Sequence, residues 1–285
     1  MKRNDLHWPI LLNFFFILFS LLIIFPFWTV FIDSIDDSLR TGFRLLPAKP
    51  TIEPYKVVFE QNSTLAAFYN SVFRTVVGTL LATICIFCGA YALSKKRMPF
   101  NRAMTAFVII PMFFGGGLIP TFLLMVDLQL LDSRWALIWP AIFNGFFLLV
   151  TRNFIYSIPA ELEESALLDG ANELKIAFRI FLPLSLPIIA TVALWSAVGH
   201  WNAWFDAMIY IRSPSKQVLQ VLLRRILNAA QNVNEMMNDP ASAPPVTPRS
   251  IQSALLFVTT LPILVVYPFA QKYFIRGLTA GAVKG

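Results

Sequence analysis

The sequence predicts an all-α integral membrane protein with six transmembrane helices and one long cytoplasmic helical loop. Three observations predict it. Of the 285 residues, 57% are hydrophobic and only 14% are charged, against about 25% charged in soluble domains; mean hydropathy is +0.65. Six segments reach the roughly 20 apolar residues that a span needs: about 10–32, 66–93, 103–126, 135–157, 184–211 and 251–273. Lys and Arg gather in particular loops, as membrane topology requires. The formal charge of +7 therefore reads as topology. No basic stripe or recognition motif points to nucleic acid.

The first segment follows Lys2 and Arg3 and runs from Ile10 to Ile32. It is longer than a signal-peptide core and no A-x-A site follows, so it reads as a retained helix. The second is long enough to tilt or to extend beyond the bilayer. An even number of spans puts both termini on one side. The short loop SKKRMPFNR (94–102) holds Lys95, Lys96, Arg97 and Arg102; with Lys2 and Arg3 it argues for cytoplasmic termini in a bacterial inner membrane. On that assignment the cytoplasmic side has 12 Lys/Arg and the outer side 10, with Arg74 inside a span. The whole chain, 1–285, is then one transmembrane domain with external loops 33–65 and 212–250. The first of these contains LPAKPTIEPY, whose prolines favour extended backbone and turns. The second begins with KQVLQVLLRRILNAAQNV, where Val218, Val221, Leu222, Leu223, Ile226 and Leu227 form one helical face. That face suits the membrane surface, a partner or the protein's own body. A proline-rich linker, DPASAPPVTPRS, follows.

Catalytic constellations are missing from the sequence. There is no G-x-x-x-x-G-K-[ST] loop, no G-x-S-x-G elbow and no HExxH. His7 and His200 are the only histidines, which excludes a histidine-rich metal site. Cys85 and Cys88 read as CxxC but lie in an apolar run, where cysteines behave as small hydrophobes. No catalytic residue, metal site or cofactor is expected in this chain.

One segment is out of keeping with the rest. Residues 158–183 hold Glu161, Glu163, Glu164, Asp169 and Glu173, five of the sixteen acids. Acids in a first helical turn complement the helix dipole, Ser157 can cap and Pro159 suits a first turn. Leu162, Ala166 and Leu167 give an apolar stripe. Gly170 breaks the helix, and NELKIAFRIF forms a second piece leading to Pro183. An interfacial helix–turn–helix lying on the membrane satisfies these facts as well.

The spacing adds more. Glu164-Ser165-Ala166-x3-Gly170-x9-Ile180-x-Leu182-Pro183 resembles the EAA motif of ABC-importer permeases. Ser165 departs from the usual alanine and still fits a close helix contact. The LPAKPTIEPYKVVF loop, the MFFGGGLIPTFLL segment and the tail FIRGLTAGAVKG are also similar to carbohydrate-uptake permeases of the maltose type, especially the branch importing oligo- and polysaccharides such as alginate. The resemblance implies a maltose-type importer fold, with 158–183 as a coupling helix docked in a cleft on a cytoplasmic ATPase subunit. Glu164, Ser165, Ala166, Gly170, Ile180, Leu182 and Pro183 would be the coupling residues, and Gly277–Gly285 would also reach the ATPases. It implies these partners: a second homologous permease, two ATP-binding subunits that use ATP and Mg, an extracytoplasmic sugar-binding protein and an oligosaccharide substrate.

Polar groups inside spans are costly and face a cavity or a helix interface. Here they are Asn70, Arg74, Asn144 and, in GHWNAWFD, His200, Trp201, Asn202, Trp204 and Asp206. Tryptophans can stack on sugar rings and the others can bond hydroxyls. They can equally hold helices together, at about 1 kcal/mol each. Gly115-Gly116-Gly117 suggests close helix packing, or else a broken helix. Rival readings are an ABC permease for a peptide or polyamine, an ion-coupled secondary transporter, which needs inverted repeats and intramembrane acids, and a membrane-embedded glycan enzyme. Asp206 is the single candidate intramembrane acid.

Overall fold

The computed structural model describes residues 7–36, 38, 45–60, 62–95, 97–236 and 247–282. Lys2, Arg3, Lys96, residues 237–246, which include most of the proline-rich linker, and the last residues of the tail, 283–285, lie outside the described residues. The chain is helical, with no β-sheet among the described residues beyond a single bridge between Asp36 and Pro50.

Three helices are unbroken, long and apolar enough to cross a membrane: α1 (His7–Ser34), α3 (Asn62–Ser94) and α13 (Pro248–Ala282). Between α1 and α3 lies the short α2 (Glu53–Glu60). Side chains 9–28 of α1 are all exposed. A helix that is apolar on every side belongs in hydrocarbon or a protein interior. The other three membrane-length segments are bent. Helices α4 (Asn101–Phe113) and α5 (Leu118–Asp127) meet at 115°. Two 3₁₀ turns, Arg134–Leu137 and Trp139–Ala141, meet α6 (Gly145–Tyr156) at 46°. The segment Glu173–Leu184 meets Leu186–Asn202 at 80°.

The 115° bend corrects the packing reading of the glycine run. A Cβ at Gly115 or Gly117 would meet nothing within 4 Å, and Gly117 has φ +84°. The glycines break the helix; they do not admit a close neighbour within this chain.

The segment after α6 carries α7 (Glu161–Leu168), then α8 (Glu173–Ile176), a π-helical stretch Ala177–Phe181, and α9 (Leu182–Leu184). Next come α10 (Leu186–Asn202), α11 (Phe205–Tyr210) and α12 (Leu219–Met236). Ser157 does not start α7. It ends α6, its hydroxyl donating to Phe154 O at 2.7 Å.

The chain divides into two units. Met1–Leu65 and Leu222–Pro262 form one, Ala66–Val221 and Ile263–Gly285 the other. In the first, Arg249 Nη2 pairs with Asp33 at 2.8 Å, and Phe31 packs on Phe257. Asp36 accepts from the backbone N–H groups of Lys49 (2.9 Å), Ser38 (3.1 Å) and Ala48 (3.2 Å), which ties the proline-rich loop to the end of α1. The second unit has two apolar cores. One centres on Ile86, Leu148, Ile176 and Val192; the other on Met125, Leu137, Ala207 and Val218. Just before and along the start of α12, Val218, Val221 and Leu223 are buried while Arg224 and Arg225 are exposed.

Candidate functional site

The 158–183 segment is built from local rules. The last turn of α7 closes with Gly170 at φ +75°. Gly170 N donates to Leu167 O and Ala171 N to Ala166 O, both at 3.0 Å. This paired closure needs a left-handed residue after the helix, which glycine adopts without strain. Asn172 then caps α8, its side-chain oxygen accepting from Lys175 N at 2.8 Å.

Burial sorts the motif residues into two sets. Ala166 is buried, and Ile180 and Leu182 are half-buried in the core of the second unit. Glu164, Ser165, Gly170 and Pro183 are exposed. Leu168 is 89% and Leu174 70% exposed, on either side of Gly170. The segment therefore presents an apolar tip beside an acidic helix, which the sequence reading had not singled out.

Its base is held to the C-terminal end of α3. Lys95 Nζ pairs with Glu163 at 2.6 Å and sits over the Tyr91 and Phe181 rings at 4.0 and 4.4 Å. Tyr91 OH donates to the Glu173 carboxylate at 2.9 Å. The Leu93 carbonyl, near the end of α3, accepts from Asn101 Nδ2 (2.9 Å), Arg152 Nε (3.0 Å) and Tyr156 OH (3.2 Å). Cationic and hydroxyl donors suit such terminal carbonyls. Between loop and helix end lies a cavity of about 590 Å³ lined by Lys95, Glu163, Glu164 and Glu173 among others.

Of the eight polar or aromatic residues read as a candidate path, the structure gathers four near the middle of α3. Arg74 Nη1 donates to Ala203 O at 3.2 Å and to Asp206 at 3.1 Å, and its Nη2 pairs with the same carboxylate. His200 lies against Gly78, one turn along α3 from Arg74; a Cβ there would be 2.5 Å from the imidazole Nε2. Trp201 is buried edge-on to Phe68. The break between α10 and α11 at residues 203–204 frees the Ala203 carbonyl that Arg74 takes up. Asn202 is exposed and Trp204 half-buried at that break.

Asn70, one turn before Arg74 on α3, and Asn144 bond to other groups. Asn70 Nδ2 donates to Ser215 O (2.8 Å) and Gln217 O (2.9 Å), and its Oδ1 accepts from Arg134 Nε (2.8 Å). Asn144 caps α6, accepting from Phe147 N at 3.1 Å. Beside Asn70, Asp132 clamps the 212–216 turn through Arg212 N, Ser213 N and Lys216 Nζ. Ser213's hydroxyl and N–H foremost, with Lys216, hold the Asp132 carboxyl well below the usual carboxylate range. No cluster of three potential metal ligands occurs among the described residues.

Long apolar helices, three of the membrane-length segments broken, with a glycine-closed helical loop at one end of α3, define a polytopic membrane protein. Residues 75–280 match the family described as binding-protein-dependent transport system inner membrane component; the chain belongs to that family. It is 39% identical over 274 residues to the polygalacturonan/rhamnogalacturonan transport system permease protein YtcP of Bacillus subtilis (strain 168), covering 95% of this chain and 96% of that one. It is 42% identical over 250 residues to protein LplC of the same organism, covering 86% and 83%. Its structure matches a chain from the crystal structure of a bacterial ABC transporter involved in the import of the acidic polysaccharide alginate, with TM-score 0.85 and 31% identity over 96% of this chain and 99% of that one. The chain is therefore an ABC-type permease of the inner membrane, and the ATPase activity resides on separate subunits.

Proposed function

We propose that this chain is one half of the translocation pathway of an ATP-driven importer for acidic, uronate-containing oligosaccharides. The observation that carries the substrate class is a shared chemistry. A relative alignable over nearly the whole chain is named for polygalacturonan and rhamnogalacturonan transport, and the matching solved transporter imports alginate. All three are acidic glycans.

Both termini lie in the cytoplasm and 158–183 is the coupling loop. Glu164 and Ser165, with Leu168 and Leu174, form the face that enters a cleft on one ATPase subunit; their exposure supports this. Ala166, Ile180 and Leu182 anchor the loop, Gly170 sets its turn, and Pro183 leads into the next span. The partners are a second homologous permease, two ATP-binding subunits using ATP and Mg, and an extracytoplasmic sugar-binding protein that meets loops 33–65 and 212–250. Asn202 and Trp204 line the pathway at the helix break. Asn70, Arg74, His200, Trp201 and Asp206 shape it from behind, and Asn144 orients α6.

The test is purification of the tagged importer from native membranes. Wild type should bring down an ATPase and a second permease, and should import an oligogalacturonate in vesicles with the binding protein. Glu164→Lys should lose the ATPase or its stimulation by the binding protein. Wild type that purifies without any ATPase sinks the coupling reading; import of neutral but not uronate oligosaccharides sinks the substrate class.

A further inference from the structure

We infer that Lys95 is a positioning residue that transmits movement of the coupling loop to helix α3, and through α3 to the Arg74–Asp206 site. The inference rests on the coupling-loop reading above and adds the route by which the loop acts.

Four observations support it. First, Lys95 holds the loop from one side: its ammonium pairs with Glu163 of α7 at 2.6 Å and its side chain is only 16% exposed. Second, Tyr91, one turn earlier on α3, holds the other half of the loop by donating to Glu173 of α8 at 2.9 Å. Both halves of the Gly170 turn are thus tied to the C-terminal end of α3, one through Tyr91 in its last turn and one through Lys95, the residue that follows it. Third, Lys95 Nζ lies over the Tyr91 and Phe181 rings, so the ammonium is enclosed by the groups it ties together. Phe181 closes the π-helical stretch, an irregularity often found where a helix has a functional role. Fourth, α3 is unbroken from Asn62 to Ser94. Arg74 and Tyr91 on it are therefore about 26 Å apart at 1.5 Å rise per residue, joined by continuous helix over that length.

The alternative is that loop motion passes only along the chain, from Pro183 into α10. That route contains the 80° bend between Glu173–Leu184 and Leu186–Asn202. Helix α3 has no such break between Tyr91 and Arg74. Lys95 touches no substrate and leaves the exposed docking face, Glu164, Ser165, Leu168 and Leu174, untouched, so its effect is separable from docking.

The experiment uses the complete importer in lipid nanodiscs or vesicles, with Lys95→Arg, Lys95→Met, Lys95→Glu, Glu163→Lys and the exchange Lys95→Glu/Glu163→Lys. Two quantities are read: ATPase co-purification, and oligogalacturonate imported per ATP hydrolysed. Lys95→Met and Lys95→Glu should retain the ATPase subunits yet import about tenfold less per ATP, the scale of a lost coupling between contacting groups. Lys95→Arg should stay near wild type, and the exchange should recover most of the loss. A merely structural role would lower protein yield without changing import per ATP. Unchanged import per ATP in Lys95→Met overturns the inference, as does failure of the exchange to recover anything, or loss of the ATPase from Lys95→Met. If Lys95→Glu does not accumulate, Lys95→Met and the exchange decide the matter. If wild type imports no oligogalacturonate, the substrate class falls, and Lys95 is tested on stimulation of ATPase by the binding protein instead.

Discussion

Arg74 and Asp206, 132 residues apart in sequence, form an ion pair in which the arginine side chain is 3% and the aspartate 30% exposed. The guanidinium also caps the Ala203 carbonyl at the break between α10 and α11. The basic charge inside the bundle thus already has its counter-ion. It braces the broken helix at Ala203.

Breaking this pair from one side should therefore cost more than removing both charges. A fully buried pair loses about 3–5 kcal/mol when one partner is deleted. Asp206 keeps some exposure, so Arg74→Met is expected to lose about 2–3 kcal/mol, and Arg74→Met/Asp206→Leu less. Thermal unfolding of the purified protein reads this. In transport, Arg74→Met should reduce neutral and uronate oligosaccharides alike. A selective loss of uronate import would show that Arg74 meets substrate charge directly.

Gly78 makes a second close approach on the same face of α3. An alanine Cβ would lie 2.5 Å from His200 Nε2 and 2.6 Å from Cε1, closer than any real contact. Small residues at such crossings let membrane helices approach. Gly78→Ala should destabilise by about 1–3 kcal/mol through overpacking. His200→Ala makes room, so the double variant should be more stable than the sum of the two singles. Strict additivity in thermal unfolding would place His200 away from Gly78.

Two loop carboxylates set an acid limit. Burial alone would raise Asp36, but hydrogen bonds from Lys49 N, Ala48 N and Ser38 outweigh it and hold its pKa at about 2; Asp132 is depressed in the same direction. An unfolded aspartate titrates near pH 3.9, roughly. With the folded pKa lower, the folded state binds fewer protons, so this stability is complete above that pH and is lost as pH falls toward 2. Unfolding midpoints should be insensitive to these groups between about pH 7 and pH 5 and fall below about pH 4. Asp36→Asn should show a lower midpoint at neutral pH and a shallower acid fall. An identical acid fall in Asp36→Asn would remove Asp36 from this role.

Much of the fold was legible in the sequence because hydrocarbon imposes length and apolarity directly on it. The apolar segments around α1, α3 and α13 needed no tertiary information. The turn in 158–183 was legible for a different reason: Gly170 acts through local backbone rules, so its place in the sequence is its geometry; the Asn172 cap follows the same kind of rule and is found in the structure. The ties that join distant segments were not. Lys95 reads in sequence as a topology marker, and its pairing with Glu163 depends on how α3 meets α7. Arg74 and Asp206 each stand out as costly charges in a span, yet nothing local says that each is the other's partner. Asn144 stood out for the same reason and proved to be a helix cap. The three glycines at 115–117 were ambiguous because packing and breaking both favour a missing side chain.

Gly170 gives the sharpest test of the loop. Its φ of +75° is left-handed, and a Cβ there would meet nothing within 4 Å. Substitution therefore acts through backbone strain alone, about 1–2 kcal/mol for an L-residue. Asparagine visits this region more readily than other side chains, while a β-branched residue is the worst fit. ATPase co-purification and import per ATP should fall in the order glycine, asparagine, alanine, valine. If size instead of backbone preference set the order, alanine would beat asparagine. That outcome would mean Gly170 lies against the ATPase surface and its small size is what the partner's cleft requires, with the left-handed turn of secondary importance.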